Sequence, residues 1–170
     1  MGVVGCLGKV EVWEPRLAKS WVVNPKFSKY QYNHDSSVAF VDGVWMVLWN
    51  GNVEDKEGAP GQLNFMSMST DLSNWTAPVP AFSNSSLSHN PVPCGASWCR
   101  QWQPNFVPLG NGSVGVAWSQ DGGGSVVGGF WSVWDGTGWW NHQMLFDGSP
   151  YPAFGGKNWT VFPSQNPVVL

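Results

Sequence analysis

The strongest constraint on how this chain can fold is that it repeats. VAFVDGVWMVLWN (38–50) lies over VPLGNGSVGVAWS (107–119) at a constant offset of 69 residues (107 − 38), without a gap. Asp42-Gly43 then falls on Asn111-Gly112, Val47 on Val116 and Trp49 on Trp118. Each copy reads as an apolar run, an Asp-Gly or Asn-Gly pair, and a second apolar run. That is a hairpin signal with a mechanism, because the tight turn needs two residues that tolerate positive φ. FMSMSTDLSNW (65–75) also superposes on FWSVWDGTGWW (130–140), at an offset of 65 (130 − 65). A third copy opens at SQNPVVL (164–170), 62 residues beyond QPNFVPL (165 − 103).

A unit of this length with two hairpins matches one four-stranded propeller blade. The predicted fold is all-β: a partial β-propeller of about two four-stranded antiparallel blades plus the first strand of a third. An N-terminal arm covers 1–33, blade units cover 34–102 and 103–164, and the opening of a third covers 165–170, all in one propeller domain. Propellers close with about four to eight blades, so this much chain describes part of a ring. A β-sandwich of about eight strands is the rival architecture.

Composition narrows the function. In 170 residues the chain has 13 Trp, 21 Gly and 13 Pro, the mark of a turn-rich, aromatic β protein. Charged residues are 11% and the net charge is −3, without the clustered Lys and Arg of a nucleic-acid surface. No run of about 18 apolar residues exists, so no membrane span is expected. Cys94 and Cys99 enclose CGASWC, a spacing suited to a small disulfide loop, and Cys6 is left over. Zinc is the rival reading, but no second Cys or His pair follows at ligand spacing, so no metal is expected. Gly122-Gly123-Gly124 lacks the strand-to-helix context of a phosphate cradle, and no cofactor is expected. Sequons at Asn74, Asn84, Asn111 and Asn158 would accept glycans in a secreted chain, although MGVVGCLG is too short for a signal h-region. Secretion is the expected localisation.

Propeller geometry also points to candidate site residues. The innermost strand of each blade lines the central channel, and the residues at its entry end meet the ligand. His34 and Asp35 precede that strand in the first unit, Gln103 and Asn105 in the second, and Gln165 and Asn166 in the third. Under the offset of 69, His34 lands on Gln103 and Ser36 on Asn105. Trp49 and Asn50 close the first hairpin and join the candidate substrate-binding set. Taken singly, each polar residue reads as a loop cap; taken as a set, they converge on one axis. Arg100, one of two arginines, lies three residues ahead of Gln103 and is flanked by Trp98 and Trp102. A guanidinium beside indoles suits a carboxylate, or else is a surface arginine stacked for packing. Trp rings and side-chain amides are also how sugars are held.

Two other groups read as structural. In Ser69-Thr70-Asp71-Leu72-Ser73-Asn74-Trp75, which resembles the short turns of sialidase-like and five-bladed glycosidase propellers, the aspartate holds its own loop. His89 and His142 read as solvated or packing residues, and Trp45 and Trp131 as inter-blade core.

Hydrolysis of a glycoside usually takes two carboxylates at a set separation. The candidates are Asp35, Glu54, Asp55, Glu57 and Asp121, but NVEDKEGAPGQ reads as a flexible loop, and two arginines are few for a sialidase. β-Elimination asks for a group that neutralises a uronate carboxylate and a base that removes the neighbouring proton. His34 supplies the base, and Arg100 with Gln103 or Asn105 the clamp.

WVVNPKFSKYQYNHDSSVAF, EGAPGQLNFMSMSTD, WQPNF and VFPSQNPV resemble the mostly fungal, secreted β-propeller polysaccharide lyases of the rhamnose–glucuronate lyase type, with a more distant likeness to propeller ulvan lyases. The resemblance runs from Trp21 to Leu170. It implies a seven-bladed ring that releases a terminal rhamnose from O4 of glucuronate and leaves an unsaturated uronate, with an acidic polysaccharide or oligosaccharide as partner. The family's histidine and one of its arginines match His34 and Arg100. The alternatives are a non-catalytic sugar-binding propeller fragment and a glycoside hydrolase of the sialidase-like or five-bladed kind.

Overall fold

The computed structural model describes residues 19–24, 28–83, 85–94, 99–110, 112–122 and 128–144. Every regular element among them is a strand. In the first sheet β1 (Tyr32–Val41), β2 (Val44–Asn52), β3 (Leu63–Ser69) and β4 (Val79–Pro80) follow one another as antiparallel neighbours. The second sheet repeats that order with β5 (Arg100–Gly110), β6 (Ser113–Asp121), β7 (Gly128–Trp134) and β8 (Trp139–Gln143). Asp42 and Gly43 turn β1 into β2 with φ of 47° and 80°, as the hairpin signal requires. Residues 100–102 open the second sheet rather than close the first unit. None of the described residues forms a helix long and apolar enough to cross a membrane.

Side-chain alternation divides each sheet into two faces. Met46, Leu48 and Met66 of the first sheet share one core with Phe106, Val114, Val116, Trp118, Phe130 and Trp134 of the second, and Phe82 and Trp139 join it. The Phe106 amide donates to Ser37 Oγ at 3.1 Å, tying the two first strands together. Two antiparallel meanders of the same order, packed face to face, are two consecutive blades of a propeller. Trp45 and Trp131 fall outside this core. Each alternates with a core residue and therefore sits on the outward face of its sheet, half-buried.

The register corrects the repeat. β1 bulges between His34 and Ser37, and β5 between Trp102 and Asn105, so the first strands correspond at an offset of 68 (102 − 34). A further irregularity between Pro108 and Gly110 inserts one residue at the second turn, and the offset of 69 holds only from there on. His34 thus corresponds to Trp102, Asp35 to Gln103 and Ser37 to Asn105. The backbone agrees: Asp35 and Gln103 both take positive φ, 49° and 43°.

Between the sheets runs a buried amide network. Gln101 Oε1 accepts from the Asn64 amide at 3.0 Å, and Gln101 Nε2 donates to Ser83 Oγ at 2.6 Å and Gln120 Oε1 at 3.1 Å. Gln62 Nε2 donates to the Gln101 carbonyl at 2.9 Å. Gln62, Gln101 and Gln120 are wholly buried, and these bonds supply the partners that burial demands.

The Asp71 turn and its counterpart at Asp135 are held alike. Asp71 Oδ1 accepts from the Ser73 and Asn74 amides, both at 2.8 Å, and Asp135 Oδ1 from those of Thr137 and Gly138 at 2.9 and 3.0 Å. These donors, the Asn74 amide first for Asp71 and the Thr137 amide first for Asp135, hold both carboxyls well below the usual carboxylate range. Because the folded state depresses both groups, their stabilisation is present above about pH 4 and is lost as pH falls below it. A melting-temperature series should fall on that acid side, and the Asp71→Asn, Asp135→Asn double variant should show a shallower fall.

Candidate functional site

The bulge at the start of β1 organises the best candidate site. Asp35, turned through positive φ, brings one carboxylate oxygen to Asn50 Nδ2 at 3.0 Å and the other to His34 Nδ1 at 3.1 Å. Asn50 is wholly buried in β2 and is directly cross-strand from His34. The aspartate therefore has a fixed position and in turn fixes the imidazole. A carboxylate on Nδ1 favours the tautomer that leaves Nε2 as the basic nitrogen.

Glu57 completes the cluster. Its carboxylate lies 3.8 Å from His34 Nδ1, and its charge acts on the Tyr32 hydroxyl. Tyr32 and His34 alternate on one side of β1, with their rings 5.8 Å apart. Burial first, then the Glu57 and Asp35 charges, push the Tyr32 hydroxyl above its ordinary range, so it keeps its proton through neutral pH. The donor atoms of His34, Asp35 and Glu57 all lie within 4.8 Å of one another, a set able to ligate a divalent cation.

The next residue, Gly58, reaches the second sheet. Its carbonyl lies 3.4 Å from Arg100 Nη1, and its φ is +68°. A Cβ at Gly58 would come within 3.1 Å of the Trp102 ring, so the loop passes close over that indole. The dipeptide Glu57-Gly58 thus contacts His34 at one end and Arg100 at the other. Arg100 itself forms a two-pronged pair with Asp121, Nε to Oδ1 at 2.8 Å and Nη2 to Oδ2 at 2.7 Å, with its guanidinium over the Trp102 ring at 5.5 Å. Trp102 Nε1 donates to the same Asp121 Oδ1 at 3.2 Å.

A cavity of about 440 Å³ lies beside the bulge, lined by Asn33, His34, Asp35, Ser36, Val47 and Trp49 and by Val22 and Val23 of the arm. Of the residues expected at the site, His34, Asp35 and Trp49 line it. Trp49 is buried, and its indole N–H donates to Asn33 Oδ1 at 2.8 Å. Asn50, expected to meet a ligand, is buried behind Asp35 and acts through it. Arg100 and Trp102 stand across the 57–58 loop. Gln103 occupies the β5 bulge, its carbonyl accepting from Asn105 Nδ2 at 3.1 Å. Gln165 and Asn166 lie outside the described residues, as do Asn84, Asn111 and Asn158. Cys94 and Cys99 are joined as a disulfide. Asn74 is exposed, and its side-chain nitrogen donates to Asp71 Oδ2 at 2.8 Å. His89 pairs with Asp135 at 3.0 Å and stacks on Trp140. Sequence reasoning missed Tyr32, although its alternation with His34 was a usable signal, and set Glu57 aside with the loop NVEDKEGAPGQ, since nothing in that stretch ties it to His34.

No family model matches the chain, and no curated protein does. Among solved structures it is similar to a sialidase, at 14% identity and a TM-score of 0.49 over 69% of this chain. It is also similar to the Penicillium chrysogenum alpha-L-arabinanase complexed with arabinobiose, at 12% identity and a TM-score of 0.47 over 77% of this chain. The chain spans 12% of the sialidase's length and 33% of the arabinanase's.

Proposed function

We propose that this chain is part of a secreted, carbohydrate-active propeller that cleaves an acidic glycan by β-elimination next to a uronate, with the rhamnose–glucuronate linkage as its substrate. The observation that carries this reading is the Asn50–Asp35–His34 relay with the Tyr32 hydroxyl alongside. His34 Nε2 takes the proton from C5 of the uronate. The electron pair left at C5 forms the C4–C5 double bond as the C4–O4 bond breaks, and the Tyr32 O–H protonates the departing oxygen. Arg100 has Nε and Nη2 committed to Asp121 and one Nη1 hydrogen directed at the Gly58 carbonyl, and the second Nη1 hydrogen is its donor for the uronate carboxylate. The Cys94–Cys99 disulfide supports an oxidising compartment.

A hydrolase is the second reading, favoured by one observation: Glu57 stands within 4.8 Å of Asp35, so two carboxylates do meet. Both Asp35 oxygens are already engaged by Asn50 and His34, which suits an orienting group better than a nucleophile. Incubation with a rhamnose-capped, glucuronate-containing polysaccharide separates the readings. The lyase yields rhamnose together with the ultraviolet absorbance of an unsaturated uronate. Rhamnose without that absorbance makes the chain a hydrolase, and saturable binding without product makes it a binding module.

A further inference from the structure

The loop that brings Glu57 to His34 is fastened on both sides. Asn52 Nδ2 donates to the Lys56 carbonyl at 2.8 Å, and Gln62 Oε1 accepts from the Gly58 amide at 2.9 Å, so both chain neighbours of Glu57 are held by buried side chains. Asp35 is held in the same way by Asn50. Buried amides thus present two carboxylates to one nitrogen, His34 Nδ1. Among the described residues, His34 is the only basic side chain that pairs with either of them. Like charges this close repel, and a cation between them relieves the repulsion.

A second, independent observation lies behind Asp35. Asn50 is wholly buried, its Nδ2 is spent on Asp35, and its Oδ1 has no hydrogen-bond partner. This unmet oxygen belongs to the amide that touches the cluster, on the residue directly cross-strand from His34. A buried acceptor without a donor is costly, and amide oxygens are ligands for cations and for the water they carry.

We infer that His34 Nδ1, Asp35 and Glu57 form a divalent metal site, with zinc the cation it suits best, and that a metal bound there switches off the base. An imidazole with carboxylates is a borderline donor set, and zinc takes such nitrogen and oxygen atoms at about 2.0–2.2 Å, which places two of its donors no more than about 4.4 Å apart. Nδ1 lies 3.1 Å from Asp35 and 3.8 Å from Glu57. The two carboxylates, within 4.8 Å of each other, close the remainder by a small movement of Glu57, whose side chain is 54% exposed. Metal on Nδ1 displaces the ring proton to Nε2. Nε2 is then a donor and cannot take the proton from C5. This switching rests on the lyase reading; the site itself does not.

The test titrates the full chain with zinc chloride by calorimetry, in a Cys6→Ser background that removes the leftover thiol as a rival ligand. Zinc should bind one-to-one, and nitrogen NMR of histidine-labelled protein should place the metal on His34 Nδ1 and the proton on Nε2. Glu57→Gln and Asp35→Asn should each weaken binding at least as much as loss of a residue that only orients a ligand, about 10–100-fold. His142→Gln, an exposed histidine outside the cluster, should leave it unchanged. No saturable binding by about 1 mM zinc, binding indifferent to both carboxylate variants, or a ring that keeps its proton on Nδ1 at saturation would overturn the site. Where the chain forms unsaturated uronate, zinc should suppress that product with the midpoint of binding, and a chelator should restore it; undiminished turnover at saturation would overturn the switch. A chain that forms none in the absence of metal fails the lyase reading alone, and calorimetry still decides the site.

Discussion

Replacing Trp118 by alanine is expected to lower stability by about 3–5 kcal/mol, the range for deleting a large aromatic from a packed core. Trp118 is completely buried, with Phe82 stacked on it at 4.4 Å and Phe130 at 4.4 Å. Its indole N–H donates to Ser132 Oγ at 2.8 Å, and that hydroxyl donates to Asn141 Oδ1 at 2.6 Å. Truncation therefore opens a cavity and removes a hydrogen bond from a network with no access to water. Against a typical total of about 5–15 kcal/mol, the loss is large enough to leave part of the protein unfolded at ambient temperature. Chemical denaturation followed by tryptophan fluorescence measures it. Trp118→Phe keeps a ring in the stack and should recover more than half of the loss. Trp49 is the repeat counterpart of Trp118, but on its face the covering ring comes from the arm, where Tyr30 packs on Phe65 at 4.3 Å. Trp49→Ala should cost less, and equal losses at the two sites would show that docking of the sheets is not what makes Trp118 costly.

The same pair of tryptophans shows what the sequence could and could not reveal. Hairpin turns are written in local chemistry, and Asp42-Gly43 and Asn111-Gly112 set the number and order of strands correctly. Alignment on those turns, however, carried the offset of 69 back into the first strand, where the extra residue at 109–110 makes it 68. That single slip put His34 on Gln103 rather than on Trp102. The polar residues were harder. Asn and Gln serve equally well as sugar ligands and as buried braces, and composition does not distinguish them. Gln101, two residues from the expected Gln103, knits the sheets together, and Asn50 braces Asp35 from within the core. Glu57 is a long-range case: it lies 23 positions after His34 (57 − 34) in a stretch with no periodicity, and only the fold-back of its loop brings it to the imidazole. The outward placement of Trp45 and Trp131 follows from alternation, but which face is inward depends on which sheets are neighbours.

His34→Ala should abolish the formation of unsaturated uronate, a loss of about 10²–10⁴-fold for removal of a general base. The geometry predicts a graded series around it. Asp35→Asn keeps the shape of the relay but removes the carboxylate that favours a proton on Nδ1, so turnover should fall while substrate binding stays within a few-fold. Asn50→Leu acts one step further back, on the position of Asp35, and its effect should be smaller and should come with lost stability, since Asn50 is buried. Tyr32→Phe tests the proton donor. With the hydroxyl held above its ordinary range, the wild type should keep its activity to the alkaline side until Tyr32 loses its proton, above about pH 10. The phenylalanine variant should be slow at every pH. A substrate whose leaving group needs no proton should restore Tyr32→Phe and leave His34→Ala inactive, because only the tyrosine step is bypassed. Turnover by His34→Ala at the wild-type rate would remove the base from the scheme, and the relay from Asn50 through Asp35 would then be a brace for the β1 bulge and nothing more.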